Sequence, residues 1–329
     1  MNERINLSPE TKTTMLTLDD VYEAQSRIAG YVRHTPLISV SPVKVPASQQ
    51  GSVYLKLECM QISGSFKARG ATNKLFTLPP EQIQRGIVTA SGGNHGLGVA
   101  YAGWLAKCPV MIYLPANTPP IKAEKLEGWG ARVIFEGAVW DNANRAAMAA
   151  AERDGLAYVH PFADPAVIAG QGTIAVEVLK QIPDIDVILV AIGGGGLISG
   201  VSLAAKLLNP KVKVIGIEPT GAPTLYASRK AGHLVELESI NTAANTLAPR
   251  LSAPINFDLI QRYVDDIILV SDDEMREAAR WLWRELAVAV ELSGAAAMAA
   301  LLFGRVTITR DQKVCALVCG AGTDGIDHL

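Results

Sequence analysis

The chain has 329 residues, 49% of them hydrophobic and 19% charged, with a formal net charge of −2. That length fits two domains or one large α/β unit, and the composition is ample for a sizeable core. Near-zero charge and the lack of any Lys/Arg run argue against nucleic acid or an anionic membrane as partner. Every apolar run is broken by Gly, Pro or charge before it could span a bilayer.

In chain order, the first fifteen residues are polar and lack an apolar signal core, so a cytoplasmic enzyme is expected. The first predicted strand is 52–58, "SVYLKLE". It leads to "SGSFKARGA", residues 63–71, where Lys67 stands beside Phe66 with small residues and glycines on both sides. A solvated surface lysine needs no such setting, but a lysine that meets a flat, bulky partner does. The strand "GIVTAS" (86–91) runs into "ASGGNHGLG" (90–98), which opens a helix over 96–107. The clustered N–H groups of that turn suit a substrate carboxylate. Capping by Ser91 or Asn94 would use the same donors, so both readings stand. Strands at 109–115 and 131–137 then alternate with helices over 121–129 and 141–154, and three βα units between about 86 and 158 predict a compact subdomain.

Farther on, the strand 187–193 feeds four glycines, Gly193, Gly194, Gly195 and Gly196, and a helix over 197–208. Each glycine costs roughly 0.5–1 kcal/mol of chain entropy, so the turn has a use, and wrapping an anion at a helix N-terminus is the natural one. A dinucleotide fingerprint fails because Ile198 or Ser199 stands where the third glycine belongs. A P-loop fails because Gly200 is followed by Val201 and Ser202. A single phosphate monoester remains. Strands at 212–219 and 313–320 close the pattern, the last ending at Cys319. The four cysteines, Cys59, Cys108, Cys315 and Cys319, form no CxxC pair and read as buried small hydrophobes, although Cys319 is equally placed to face a ligand. Strand–helix alternation with near-continuous apolar strands predicts parallel sheets covered on both faces. The loops "SGGNHG", "GGGGLISG" and "CGAGTDG", each directly after a strand, would then converge on one cleft. A lysine, a phosphate cup and an aromatic wall together suit pyridoxal 5′-phosphate.

Taken with "HTPL" (34–37), "SFKARGA" (65–71), "VHPF" (159–162), "AGQGT" (169–173), "IGIEP" (215–219) and "SGAAA" (293–297), these segments resemble the fold-type II pyridoxal-phosphate enzymes over nearly the whole chain. The resemblance is to their threonine/serine dehydratase (threonine ammonia-lyase) and serine racemase group. It implies two domains of the tryptophan synthase β type, each a mostly parallel twisted sheet with flanking helices. The large cofactor-binding domain would comprise 1–59 and 160–329, and the small domain 60–159. It makes Lys67 the Schiff-base lysine, with Phe66 on the cofactor ring and Asn94 on its 3′-oxygen. Gly193, Gly194, Gly195, Gly196 and Leu197 would hold the phosphate, Cys319 would neighbour the pyridine nitrogen, and Ser91, Gly92, Gly93, Asn94 and His95 would bind the substrate carboxylate. The implied reaction is β-elimination of a β-hydroxy amino acid, L-threonine or L-serine, to a 2-keto acid and ammonia, in a homodimer or homotetramer. Dehydration of 3-hydroxyaspartate or a β-aryl serine, serine racemisation, and β-replacement of the cysteine synthase type remain as alternatives.

The departures from the family pattern are informative. Racemases of the group carry a serine two residues before the asparagine, where this chain has Gly92, and that argues for elimination. A cation site used by some relatives would take Glu218 and Ala222 but meets Thr224 where an Asp belongs, so no metal is expected. The family's "ADG" reads Ala244-Asn245-Thr246, and its "EPSG" reads Glu291-Leu292-Ser293-Gly294. The substrate pocket is therefore expected to differ in detail.

Overall fold

The structure is a computed structural model that describes residues 16–48 and 50–326. The polar segment 1–15, on which the expectation about compartment rests, lies outside the described residues. Helix α1 (Leu18–Ile28) opens on a capping box in which Thr17 and Asp20 satisfy each other's backbone amides. Strands β1 (Leu37–Ser39) and β2 (Ser52–Lys56) follow, and then α2 (Lys67–Phe76) and α3 (Pro80–Arg85). Next come β3 (Ile87–Ala90), α4 (Asn94–Ala106), β4 (Val110–Leu114), α5 (Pro120–Glu127), β5 (Arg132–Phe135), α6 (Trp140–Asp154) and β6 (Ala157–Tyr158). The remaining elements are α7 (Pro165–Gln181), β7 (Val187–Ala191), α8 (Gly196–Leu208), β8 (Lys213–Pro219), α9 (Thr224–Ala231) and α10 (Pro254–Tyr263). They end with β9 (Asp266–Val270), α11 (Asp272–Leu286), α12 (Leu292–Leu302) and β10 (Lys313–Leu317).

The strands form two sheets, as the alternation predicts. One has the order β5-β4-β3-β6 and is parallel throughout; the other runs β1-β2-β10-β7-β8-β9 and is parallel except for the β1–β2 pair. All five residues of β7, "VILVA", are buried, as befits a strand covered on both faces. Helix α12 is buried from Leu292 to Leu301, and its alanine run lets it lie close against the large sheet. In α6 the buried positions are Ala143, Ala147 and Ala150, one stripe at helical spacing. Strands β1, β6 and β9 were not among those expected from the sequence. Two of them have three residues or fewer, too short for a periodic signal, and β9, "DIILV", is an edge strand with a mixed burial pattern.

Four helices stack through backbone contacts that tolerate no side chain. A Cβ on Gly98 of α4 would stand 2.9 Å from the carbonyl carbon of Lys67, and one on Gly170 of α7 would stand 2.7 Å from Gly70 Cα in α2. A Cβ on Gly172 of α7 would meet Gly200 O of α8 at 3.0 Å. Thus α4, α2, α7 and α8 lie in close succession, and the first turn of α2 is wedged between two of them. Beneath it lies a buried cluster of four charges. Arg69 Nε donates to Glu58 Oε2 at 2.8 Å and its Nη1 to Glu177 Oε1 at 2.6 Å, while Lys56 pairs with Glu177 and donates to Thr35 O at 2.8 Å. Two cations and two carboxylates balance, which is the condition for holding charge inside a protein.

Candidate active site

The C-terminal ends of β2, β3, β7 and β10 deliver the segments from which the site is built. After β2 the chain turns through Ser63 (φ 63°) and Gly64 (φ 79°), then bridges to the end of β10. Ser65 pairs with Gly320, and Phe66 N donates to Cys319 O at 3.2 Å. Lys67 is thereby presented as the first residue of α2. Its Nζ donates to Pro161 O at 2.6 Å and lies 5.1 Å from the Phe66 ring centroid. Burial pulls its pKa down from 10.5 to about 8, against the opposing pull of Glu291.

The residue after Pro161 connects the lysine to the glycine turn. A Cβ on Gly194 would stand 2.2 Å from the Phe162 ring, and one on Gly196 2.7 Å from Phe162 Cα. Gly195 has φ +95°, a left-handed value, and a Cβ on Gly193 would meet Thr246 O at 2.7 Å. The four glycines are therefore required by protein approaching from two sides, and by one backbone angle. The Ser252 hydroxyl donates to Gly194 O at 2.9 Å, steadying the turn. Leu197 lies in the first turn of α8, whose leading amides have no carbonyl within the helix to pair with.

After β3, Ser91 Oγ accepts from Gly93 N at 3.3 Å, and Gly93 occupies the N-cap of α4 without a side chain to cap it. Asn94 does not cap its helix either; its Nδ2 donates to Glu291 Oε1 at 2.7 Å. His95 turns inward. Its Nε2 lies 2.9 Å from Val159 O and 3.1 Å from Thr89 Oγ1, and burial drives its pKa from 6.5 down to about 3, so the ring is neutral. Only the backbone of His95 remains for an anion at the turn. Gly92 faces Leu114, Thr118 and Lys122, and a Cβ there would sit 3.2, 3.4 and 3.7 Å from their nearest atoms.

Cys319 is buried at the end of β10, and its Sγ donates to Ser293 O at 3.4 Å. Burial, with Glu291 close by, pushes its pKa well up, so it stays a thiol. All four cysteines are buried. Glu218 accepts from Leu225 N and Tyr226 N, both at 2.8 Å, so both its oxygens serve the first turn of α9. Burial raises its pKa to about 8. The Thr224 hydroxyl donates away to Pro249 O.

Lys67, Phe66, Asn94, Cys319 and, through Phe162, the glycine turn thus come together. Sequence reasoning missed Glu291 as a partner of Asn94 and Phe162 as the plug of the glycine turn. The only trace of either was its place in a quoted motif, with no contact implied. The arrangement fits a phosphorylated aldehyde cofactor: a desolvated amine of lowered pKa, and a turn of four glycines opening a helix.

The family model for pyridoxal-phosphate dependent enzymes matches residues 28–320, and the chain belongs to that family. It is 40% identical to the L-threonine ammonia-lyase of Thermotoga maritima over 310 residues, 94% of this chain and 76% of that protein. It is also 39% identical to the serine racemase of Oryza sativa subsp. indica over 285 residues, 87% of this chain and 83% of that one. The structure of maize serine racemase superposes with a TM-score of 0.88 at 37% identity, covering 94% of each chain. The cofactor is pyridoxal 5′-phosphate and the protein is an enzyme with the fold-type II architecture.

Proposed function

We propose that this enzyme eliminates water from a β-hydroxy amino acid, L-threonine or L-serine, and releases a 2-keto acid and ammonia. Relatives bearing ammonia-lyase and racemase names are about equally similar, so the choice rests on the site. The observation that carries it is Gly92. Racemisation needs proton exchange on both faces of Cα, and the position where racemases of this group place a hydroxyl has no side chain here.

We read the site as follows. Lys67 holds the cofactor and Phe66 lines its ring. The amides of Gly193, Gly194, Gly195, Gly196 and Leu197 bind its phosphate, helped by the α8 dipole. Asn94 donates to its 3′-oxygen. The backbone at Ser91, Gly92, Gly93, Asn94 and His95 takes the substrate carboxylate at the start of α4. Bound pyridoxal phosphate supplies an aldehyde that takes up the substrate amine and a ring that withdraws charge from Cα. The lowered pKa of Lys67 lets its amine act as the base for the Cα proton near neutral pH. Cys319, a thiol whose proton is directed to Ser293 O, brings no anionic charge to the pyridine edge. That favours expulsion of the β-hydroxyl over long-lived charge in the ring. The two sheets support a division into a large domain, 1–59 with 160–329, and a small one, 60–159.

Purified Lys67→Ala is expected to lose the visible band of lysine-bound cofactor and all turnover; a variant that keeps both would overturn the assignment. A panel of β-hydroxy amino acids, both diastereomers, assayed for keto acid without added thiol, is expected to yield keto acid with L-threonine or L-serine. Accumulation of the D-enantiomer by the unmodified enzyme would favour racemisation instead. Gly92→Ser has room for its Cβ with only small shifts of Leu114 and Thr118, and is expected to gain D-serine formation that the parent lacks.

A further inference from the structure

The carboxyl group of Glu291 stands among the site residues and has no part in the reading above. Glu291 precedes α12 yet makes no side-chain cap on it. Its Oε1 instead accepts from Asn94 Nδ2 at 2.7 Å and from the Ser293 hydroxyl. The two partners of the first bond are 197 residues apart, so it joins the turn after β3, in one sheet, to the segment beside β10, in the other. Space for it is reserved. A Cβ on Gly320 would stand 2.3 Å from Glu291 Oε1 and 3.1 Å from Asn94 Nδ2. The backbone of Glu291 is also fixed on both sides, its N donating to Gly320 O at 3.3 Å and its O accepting from Gly294 N at 2.9 Å.

Glu291 Oε1 is the shared acceptor of two hydrogen bonds, so Asn94 presents its NH2 and not its carbonyl oxygen to Glu291. One N–H of the amide is used there, and the other is left in the fixed amide plane to donate. Ser293 reinforces the same choice, because its hydroxyl donates to the same oxygen. We infer that Glu291 is a positioning residue that fixes the amide of Asn94 so that it donates to the phenolic oxygen of the cofactor. The inference rests on the placement of the cofactor at Lys67 proposed above.

The test uses holoenzyme and two readouts besides turnover: the visible absorption spectrum as a function of pH, and the cofactor dissociation constant by equilibrium dialysis. Glu291→Ala and Asn94→Ala are each expected to shift the visible band or its titration in the same sense. Each is expected to weaken cofactor binding by about ten- to a hundredfold, the effect of losing a charge-assisted hydrogen bond. The double variant is expected to be no worse than either single one. Glu291→Gln keeps an acceptor oxygen and is expected to restore the parental band. Should Glu291→Ala fail to fold, Glu291→Met, similar in length and without a comparable acceptor, takes its place. Losses that add in the double variant would overturn the inference. So would Glu291 variants that melt earlier but keep the parental band and affinity, since that would mark the carboxyl as a tie between the sheets only. Lys67→Ala in the same assays separates the two levels. If it keeps the band, the cofactor placement itself falls; if it loses the band while Glu291→Ala is unchanged, only the role of Glu291 falls.

Discussion

At Lys67, reactivity is set by what surrounds one nitrogen. Burial costs the ammonium form its hydration, and nearby Glu291 returns only part of it, which leaves a pKa of about 8 against an ordinary 10.5. In cofactor-free protein, competitive labelling with an amine-reactive reagent is expected to show this lysine titrating with a midpoint near 8, while exposed lysines label only at higher pH. A midpoint at the ordinary value would contradict the desolvated setting. Much at this scale was legible in the sequence. Lys67 and Phe66 stood out because small residues flanked them, and the glycines because four in a row need a reason. The particular reason was not legible: Phe162 and Thr246 press on the turn, and neither is near it in the chain. In the sequence Glu291 stands out only as part of an altered motif, since its partner is 197 positions away.

Among the elements, α2 is held more firmly than its length would suggest. Its first turn lies between α4 and α7 with backbone against backbone, and Arg69, one place past Ala68, is locked to Glu58 and Glu177. Burial of a charge is tolerated only while its partners remain. Arg69→Leu is therefore expected to destabilise the fold by about 3–5 kcal/mol, measured as a drop in the urea midpoint, with Glu58 left uncompensated and Glu177 held by Lys56 alone. A loss under about 1 kcal/mol, the worth of an exposed ion pair, would show that the cluster is not closed to water. Periodicity predicted the long elements well because their apolar faces repeat. It was blind to β1 and β6, which are too short to repeat, and to the charge cluster, which assembles from β2, α2 and α7 and breaks the rule that charged residues lie outside.

At the scale of the whole molecule, two histidines make stability depend on pH. His95 is held neutral down to about 3 and His160 to about 4, both by burial first, against an ordinary 6.5. Above 6.5 these rings are neutral in both folded and unfolded chains and contribute no slope. Below it the unfolded chain takes up protons that the folded one refuses, so stability falls as pH drops from 6.5 toward the folded values. The limiting slope is about 1.4 kcal/mol per pH unit for each proton. Urea midpoints from pH 7 to 4 are expected to fall accordingly, and His95→Gln to flatten the curve; an unchanged slope in that variant would remove His95 from the account. Parallel sheets were legible from the run of apolar strands. The order β1-β2-β10-β7-β8-β9 was not, because periodicity gives no strand its neighbour. That order has a consequence for synthesis. Strand β10, residues 313–317, separates β2 from β7 and carries Cys319 and Gly320 at its end. A ribosome that has made the first three hundred residues has produced two strand groups with a gap between them. The smaller sheet, continuous in sequence from 87 to 158, can close while the chain is still growing. The larger one, and with it the vitamin-binding cleft, must wait for its last strand to be threaded into the middle.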